Sequence, residues 1–240
     1  MTVAAVILSA TAEGALTDTL GQRRVRRLVD IAWSGGALPV VVVSPDEDGA
    51  VATALVGSEA VYGTPAPAES GPAGQMVRGA ELALAEVRDT SAVLIWPARM
   101  TWVGPETVTS LIEAHGLSSD EILRPAWNGE MGWPVLVPVA SLDVLRGVAP
   151  HRMPTDVVDD LARTVASRLV EVGDPGVVLD ADTPFGDLPP YDGPPDPPAG
   201  HTHEWGDGVE DEGVDESVPG EGRGLAPFPQ AGDDEASDAG

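Results

Sequence analysis

The chain has 240 residues and a formal net charge of −26, with 39 Asp and Glu against 13 basic residues, every one of them Arg. Without Lys there is no phosphate-loop or Schiff-base lysine, and without Cys there is no disulfide, thiolate nucleophile or cysteine zinc site. The acidic balance excludes a nucleic-acid backbone or an anionic membrane as the expected partner, since both require an electropositive face.

In chain order, residues 3–8 form a continuous apolar run, the pattern of a strand buried on both faces. A loop containing Gly14 and Gly21 follows, then Val25, Leu28, Val29 and Ala32 at helical spacing, with Arg23, Arg24, Arg26 and Arg27 outside and Ser34-Gly35-Gly36 as the stop. Residues 38–43 are a second buried strand, so the opening is a βαβ unit and implies parallel pairing. A short helix at 50–56 and a short strand at 60–62 lead into a Pro/Gly/Ser loop over 64–74, a length that usually serves a function. The spacing predicts a helix over 75–87, a buried strand over 92–96 and a helix opened by Pro105 and running to Ile112. Strands at 122–123 and 135–137 flank an Asn128-Gly129 turn, and a short helix covers 142–145. Thr155 is expected to cap a helix whose Val157, Leu161, Val165 and Leu169 share one face, and 177–179 reads as a last strand. The class is α/β with a mostly parallel sheet.

Charge and composition change near residue 189. Residues 189–240 carry 14 Asp and Glu against Arg223 alone, with 9 Pro and 10 Gly, and only Val209, Val214, Val218, Leu225 and Phe228 as aliphatic or Phe anchors. Such a stretch buries too little apolar area to offset its conformational entropy, and it is expected to be a disordered acidic tail behind one domain, 1–188. No run approaches the roughly 18 apolar residues of a membrane helix. The first positive charge, Arg23, lies too late for a signal peptide. A cytoplasmic location is therefore expected.

Four strings, in order, resemble the MobA-like NTP transferase family, which includes molybdenum-cofactor cytidylyl- and guanylyltransferases. Ala4, Val6, Ile7 and Leu8, then a loop, a helix and Pro39-Val40-Val41-Val42-Val43, resemble the family's opening strand, nucleotide loop, helix and second strand. Ala92-Val93-Leu94-Ile95 with Val103-Gly104-Pro105-Glu106-Thr107-Val108 resembles its central strand and following helix. Pro125, Gly129 and Gly132-Trp133-Pro134-Val135-Leu136 are similar to a P…G…GHPVL segment, and Asp180-Ala181-Asp182-Thr183-Pro184 with Asp187-Leu188 to a closing DxDTPxDL. The resemblance covers roughly 3–188 and implies a three-layer α/β/α sandwich related to nucleotide-sugar transferases. It implies attack by a phosphate-bearing substrate on the α-phosphate of an NTP, a reaction run mostly by positioning and charge neutralisation. It further implies nucleotide contacts at Ser9, Ala10, Gly14, Asn128, Gly129 and Gly132, and Mg²⁺ on Asp180 and Asp182, while Arg99 is a candidate nucleotide contact outside the family pattern.

The sequence departs from the pattern at the chemistry. The family's A-A-G-x-S-x-R-M-G loop with a following Lys is here Ser9-Ala10-Thr11-Ala12-Glu13-Gly14-Ala15, so the tight glycine, the loop Arg and the Lys are gone. Glu13 and Asp18 place negative charge where a triphosphate would lie, although Arg23 or Arg24 could reach back. Arg99 aligns with the family's central metal Asp. That exchange turns attraction for a cation into repulsion, about 4 kcal/mol per unit charge at 4 Å and an effective dielectric of about 20. Asp180 and Asp182 alone make a poor octahedral Mg²⁺ site. Two roles remain for Arg99: a bidentate clamp on a phosphate, or an ion pair with a neighbouring carboxylate.

Other candidates are weighed against plainer roles. His201, His203, Glu204 and Asp207 have the composition of a metal site but lie in the tail, as does the Pro-rich stretch at 189–198, which is more simply a spacer. Ser9, Asp182 and His115 or His151 have triad composition without a G-x-S-x-G elbow. Trp96, Trp102, Trp127 and Trp133 are read first as core residues, and only second as aromatic walls of a cleft. The expectation is a nucleotidyltransferase-type domain with no assigned catalytic residue, binding a nucleotide or phosphorylated small molecule with weak or no transfer. The alternative is a non-catalytic scaffold or regulatory protein that meets a protein partner through the cleft or the tail.

Overall fold

The computed structural model describes residues 2–193. The strands are β1 (Thr2–Leu8), β2 (Asp18–Thr19), β3 (Gln22–Arg23), β4 (Val40–Val43), β5 (Ala60–Gly63), β6 (Thr90–Pro97), β7 (Ile122–Trp127), β8 (Glu130–Met131), β9 (Val135–Pro138) and β10 (Ser167–Glu171). The helices are α1 (Ala12–Leu16), α2 (Arg24–Ser34), α3 (Ala50–Ala54), α4 (Gly71–Glu86), α5 (Pro105–Leu117), α6 (Leu142–Arg146) and α7 (Pro154–Ala162).

The main sheet runs β10-β7-β9-β6-β1-β4-β5, with β8 added as a hairpin arm on β7. β6, β1, β4 and β5 are parallel, and β10 is parallel to β7, whereas β9 runs antiparallel to both β6 and β7. One reversed strand thus joins two parallel blocks. Strands β1, β4 and β6 read as unbroken apolar runs because helices cover both faces: Ala4–Ile7, all four residues of β4 and residues 92–96 are buried. Helix α4, with α6 and α7 beside it, packs on one face, and α2, α5 and the short α3 on the other. Each fully buried Val or Ile in these strands is worth about 1.5–3 kcal/mol relative to exposure.

Chain direction now places the site. From β1 the chain moves outward through α2 to β4 and on to β5, then returns across β1 to β6. The direction of winding therefore reverses between β1 and β6, and the loops leaving the carboxyl ends of these two strands turn to opposite sides there, the point at which open α/β sheets generally bind ligands. The amide of Ala98 donates to the carbonyl of Leu8 at 2.8 Å, the last tie before the two chains diverge.

Several local expectations need correction. The stretch 177–179 is not a strand: Pro175–Val177 is a 3₁₀ turn that reaches the β7–β9 connection through Trp133 N to Val177 O at 2.8 Å. The α7 helix is capped at Met153 with Pro154 at its first position, not by Thr155, because proline's fixed φ and missing N–H suit a first turn. It ends at Ala162, and Leu169 lies on β10, a strand hidden by a run of apolar residues that also fits helical spacing. The loop at 64–74 is shorter than expected, since a 3₁₀ turn at Ala68–Ser70 leads directly into α4 at Gly71. Of the expected tail, residues 189–193 are described, with Asp192 N bonded to Gly173 O at 3.0 Å. The rest of the tail, with His201, His203, Glu204, Asp207 and the prolines from Pro194 on, lies outside the described residues.

Candidate functional site

The loop after β1 is not an open glycine loop. Ser9 continues the ladder, its amide donating to Val43 O at 3.0 Å, and its hydroxyl donates to Thr11 O at 2.9 Å. Thr11 then caps the single-turn α1, accepting from the Gly14 amide at 3.0 Å. Ala10 is an exposed turn residue between them. The amides of Ser9 and Gly14, which the resemblance would aim at phosphates, are thus spent on local structure. The β2–β3 hairpin closes the loop, and two arginines do reach back into it: Arg23 Nη1 donates to Leu16 O at 2.8 Å and Arg24 Nη1 to Gly14 O at 3.2 Å.

On the other side of this point, the turn after β6 presents Arg99. Its Nε and Nη2 donate to Asp180 Oδ2 at 3.2 and 2.8 Å, and Nη2 also meets Asp182 Oδ2 at 2.5 Å. The ion-pair role, rather than a free phosphate clamp, is the one this geometry shows. The backbone fixes the arrangement from both sides. Ala181 N donates to Arg99 O at 2.9 Å, and the Trp102 indole N–H is shared between Asp180 O and Thr183 O at 2.9 and 3.0 Å. Trp102 also lies against Phe185, ring centroids 5.5 Å apart.

Arg24 completes a cluster of two cations and two carboxylates. Burial lowers the Arg24 pKa from its ordinary value, with the Arg99 charge adding to the effect and Asp180 and Asp182 opposing it; its Nε is buried without a partner. The Arg99 guanidinium is raised, first by its hydrogen bonds to Asp180 and Asp182. Burial works to raise the Asp180 carboxyl, but the Asp182 amide, at 2.9 Å from Asp180 Oδ1, and Arg99 outweigh it and hold Asp180 below the ordinary carboxylate range. A divalent ion does not fit these residues. The two closing carboxylates already share a guanidinium, and among the described residues no group of three His, Cys, Asp or Glu is arranged to hold a metal.

The remaining expected contacts separate into two kinds. Asn128 and Gly129 are exposed at the tip of the β7–β8 hairpin with φ of 52° and 78°, the left-handed pair that a two-residue type I′ turn requires. They sit at the same carboxyl edge as Arg99, because β7 runs parallel to β6. Gly132 is buried and structural: a Cβ there would lie 2.2 Å from Val177 O, so only glycine lets the closing segment approach. The triad composition dissolves. Buried His115 pairs through Nε2 with Ser91 Oγ at 3.0 Å, on the opposite edge from Ser9 and Asp182, and His151 is an exposed loop residue. Trp96 and Trp133 are core residues, as expected.

Two features had no clear signal in the sequence. Asp174, 3% exposed, accepts from Gly104 N, Thr107 Oγ1 and Gly176 N, all at 2.8 Å, and so caps α5 from about 70 residues away. A cavity of about 440 Å³ opens beside the carboxyl end of β5, between Thr64–Pro67 and the first turns of α4 at Ser70, Gly74 and Arg78. The loop composition at 64–74 was its one trace, and the side chain of Gln75 braces that loop through Ala66 N and O at 2.8 and 2.9 Å.

The MobA-like NTP transferase domain model matches residues 13–165. No curated protein matches by sequence. Among solved structures, Rv0371c from Mycobacterium tuberculosis H37Rv is similar, with a TM-score of 0.61 and 17% identity over 78% of this chain and 96% of that one. A manganese complex of Rv0371c aligns with a TM-score of 0.56 and 16% identity over 72% and 89%. The 2-C-methyl-D-erythritol 4-phosphate cytidylyltransferase of Thermus thermophilus aligns with a TM-score of 0.56 and 18% identity over 78% and 96%. At these identities the likeness concerns the fold. Among the described residues no helix is long and apolar enough to cross a membrane.

Proposed function

Because this chain belongs to the MobA-like NTP transferase domain family, we propose that it binds a nucleotide or a phosphorylated small molecule at the carboxyl edge of β1 and β6, with weak or no nucleotidyl transfer. The observation that carries the reading is the pair of guanidiniums, Arg24 and Arg99, brought to the point where the sheet reverses its winding. Guanidiniums recognise phosphate oxygens without a metal, and here a phosphate would compete with Asp180 and Asp182 for Arg99. The roughly 440 Å³ cavity at the end of β5, on the same edge, offers room for an apolar or heterocyclic part of the ligand.

Transfer chemistry is a separate demand. Stabilising charge that develops on a triphosphate takes free donors aimed at it. Here the Ser9 and Gly14 amides are occupied, Arg99 is held by two carboxylates, and exposed Glu13 and Asp18 line the loop. Binding therefore survives more readily than catalysis.

A thermal-shift series with ATP, GTP, CTP and UTP, each with Mg²⁺ and with EDTA, tests this. Ligand at 100 times its dissociation constant adds about 2.7 kcal/mol, which a melting curve resolves. The expected result is a shift with at least one nucleotide that persists in EDTA. Absence of any shift would remove the ligand reading and leave the non-catalytic scaffold, a role the internally neutralised cluster also suits.

A further inference from the structure

We propose that the Arg99 guanidinium is the resident cation of this site, standing where a divalent ion would have to bind, so that the carboxyl edge works without metal. The inference deepens the reading above and shares its location, but it stands on the arrangement of this chain's own charges.

Three observations carry it. First, Asp180 and Asp182 are the acidic groups that converge at the edge, and a single nitrogen of Arg99, Nη2, contacts both at 2.8 and 2.5 Å, with Nε adding a second bond to Asp180 at 3.2 Å. The other oxygen of Asp180 accepts from Asp182 N at 2.9 Å. Both oxygens of the better buried carboxylate are therefore committed, as is Oδ2 of Asp182, and a hard cation that wants six oxygen ligands finds only Oδ1 of Asp182 without a partner in this cluster. Second, this is not a chance meeting of surface side chains. Some arginines in the structure, such as Arg163 with Asp160, pair with a neighbour three residues away, while Arg168 and Arg146 reach across 47 and 65 residues to Glu121 and Glu81. Arg99 spans 81 and 83 residues to its partners, and Ala181 N on Arg99 O together with the Trp102 indole on Asp180 O and Thr183 O hold both sides of the contact by backbone. Third, the charge is already balanced. Arg24 acts on both carboxylates as well, so two positive and two negative groups sum to zero, and an added divalent ion gains no net attraction from the four.

The consequence can be inverted. Exchange of Arg99 for Asp would turn the cation into a third carboxylate beside Asp180 and Asp182, and a site built to exclude a metal should become one that takes it. The experiment uses the full chain and Mn²⁺ alone, with free Mn²⁺ followed by electron paramagnetic resonance, so that a failure of nucleotide binding leaves it untouched. The wild type and Asp180→Asn are expected to titrate identically, any Mn²⁺ held elsewhere on the acidic chain being common to both. Arg99→Asp should gain one ion per chain, bound at least about tenfold tighter than any ion on the wild type, and Asp180→Asn in that background should remove it. Circular dichroism checks that each variant is folded; if Arg99→Asp is not, Arg99→Glu, which also supplies a third carboxylate, takes its place with the same criteria. Wild-type chain that binds one Mn²⁺ sensitive to Asp180→Asn would overturn the proposal. So would a folded Arg99 variant that gains none, because something other than the guanidinium would then keep the metal out.

Discussion

The closing segment handles its carboxylates in two ways within eight residues. Asp174 is buried and satisfied by neutral donors, two backbone amides and a hydroxyl, and it ties the segment to the start of α5. Asp180 and Asp182 are partly and largely exposed, and their partner is another charge, Arg99, on the turn after β6. The first arrangement holds the chain in place; the second sets the charge of the site. A buried acceptor with three donors cannot be removed without orphaning all three, whereas an exposed ion pair exchanges readily for water. Stability and site chemistry are thereby separable along one short stretch of sequence.

The largest expected effect follows from that contrast. Asp174→Ala should lower unfolding free energy by about 2–4 kcal/mol, because the Gly104 and Gly176 amides and the Thr107 hydroxyl lose their acceptor and α5 loses its cap. Asp174→Asn, which keeps an acceptor oxygen, should lose clearly less. Chemical denaturation of both variants checks this. A loss below about 1 kcal/mol for the alanine variant would mean that the segment is held by its backbone contacts instead, and the comparison would fail at its stronger side.

The same contrast explains what the sequence made legible. The apolar runs of β1, β4 and β6 and the amphipathic α2 were readable because burial on one or both faces writes a period into neighbouring residues. The site was readable in part: Arg99, Asp180 and Asp182 stood out by position within recognisable strings, and the structure brings these three together. Asp174 was not readable, since a cap supplied from about 70 residues away leaves no local pattern around Gly104-Pro105. β10 was missed because Leu161, Val165 and Leu169 fit one helical face although the chain changes state between them. Gly132 carried a motif-level signal, but its packing role against Val177 O depends on a long-range contact that no single string encodes.

His115 sharpens the comparison from the opposite edge. It is buried like Asp174, yet it has one hydrogen-bonded nitrogen, on Ser91 Oγ, and Nδ1 has no partner. Burial lowers its pKa, so the folded protein favours the neutral ring while the unfolded chain keeps the ordinary value near 6.5. The unfolded state then binds more protons, and stability contributed by the neutral ring is present above about pH 6.5 and is lost as pH falls from there towards the folded pKa, by at most about 1.4 kcal/mol per pH unit. Unfolding free energies between pH 7.5 and 5.5 should show this slope, and His115→Gln should flatten it. An equal slope in both proteins would assign it to carboxylates.

The smallest effect is predicted where the charges are most conspicuous. Arg99 forms three hydrogen bonds to Asp180 and Asp182, but its side chain is 58% exposed and that of Asp182 80%. Water and salt screen such pairs, and ordering a long side chain offsets part of the gain. Arg99→Ala should therefore change unfolding free energy by no more than about 1 kcal/mol. The residual loss should shrink further in 0.5 M NaCl. The backbone ties of Ala181 and Trp102 remain in that variant, so residues 180–183 stay docked while the site turns net negative. A loss approaching that of Asp174→Ala would show that the guanidinium is a structural clamp and that the two halves of the closing segment are not independent. A small loss together with an altered affinity for anions would place Arg99 on the side of function, as the exposed half of the comparison requires.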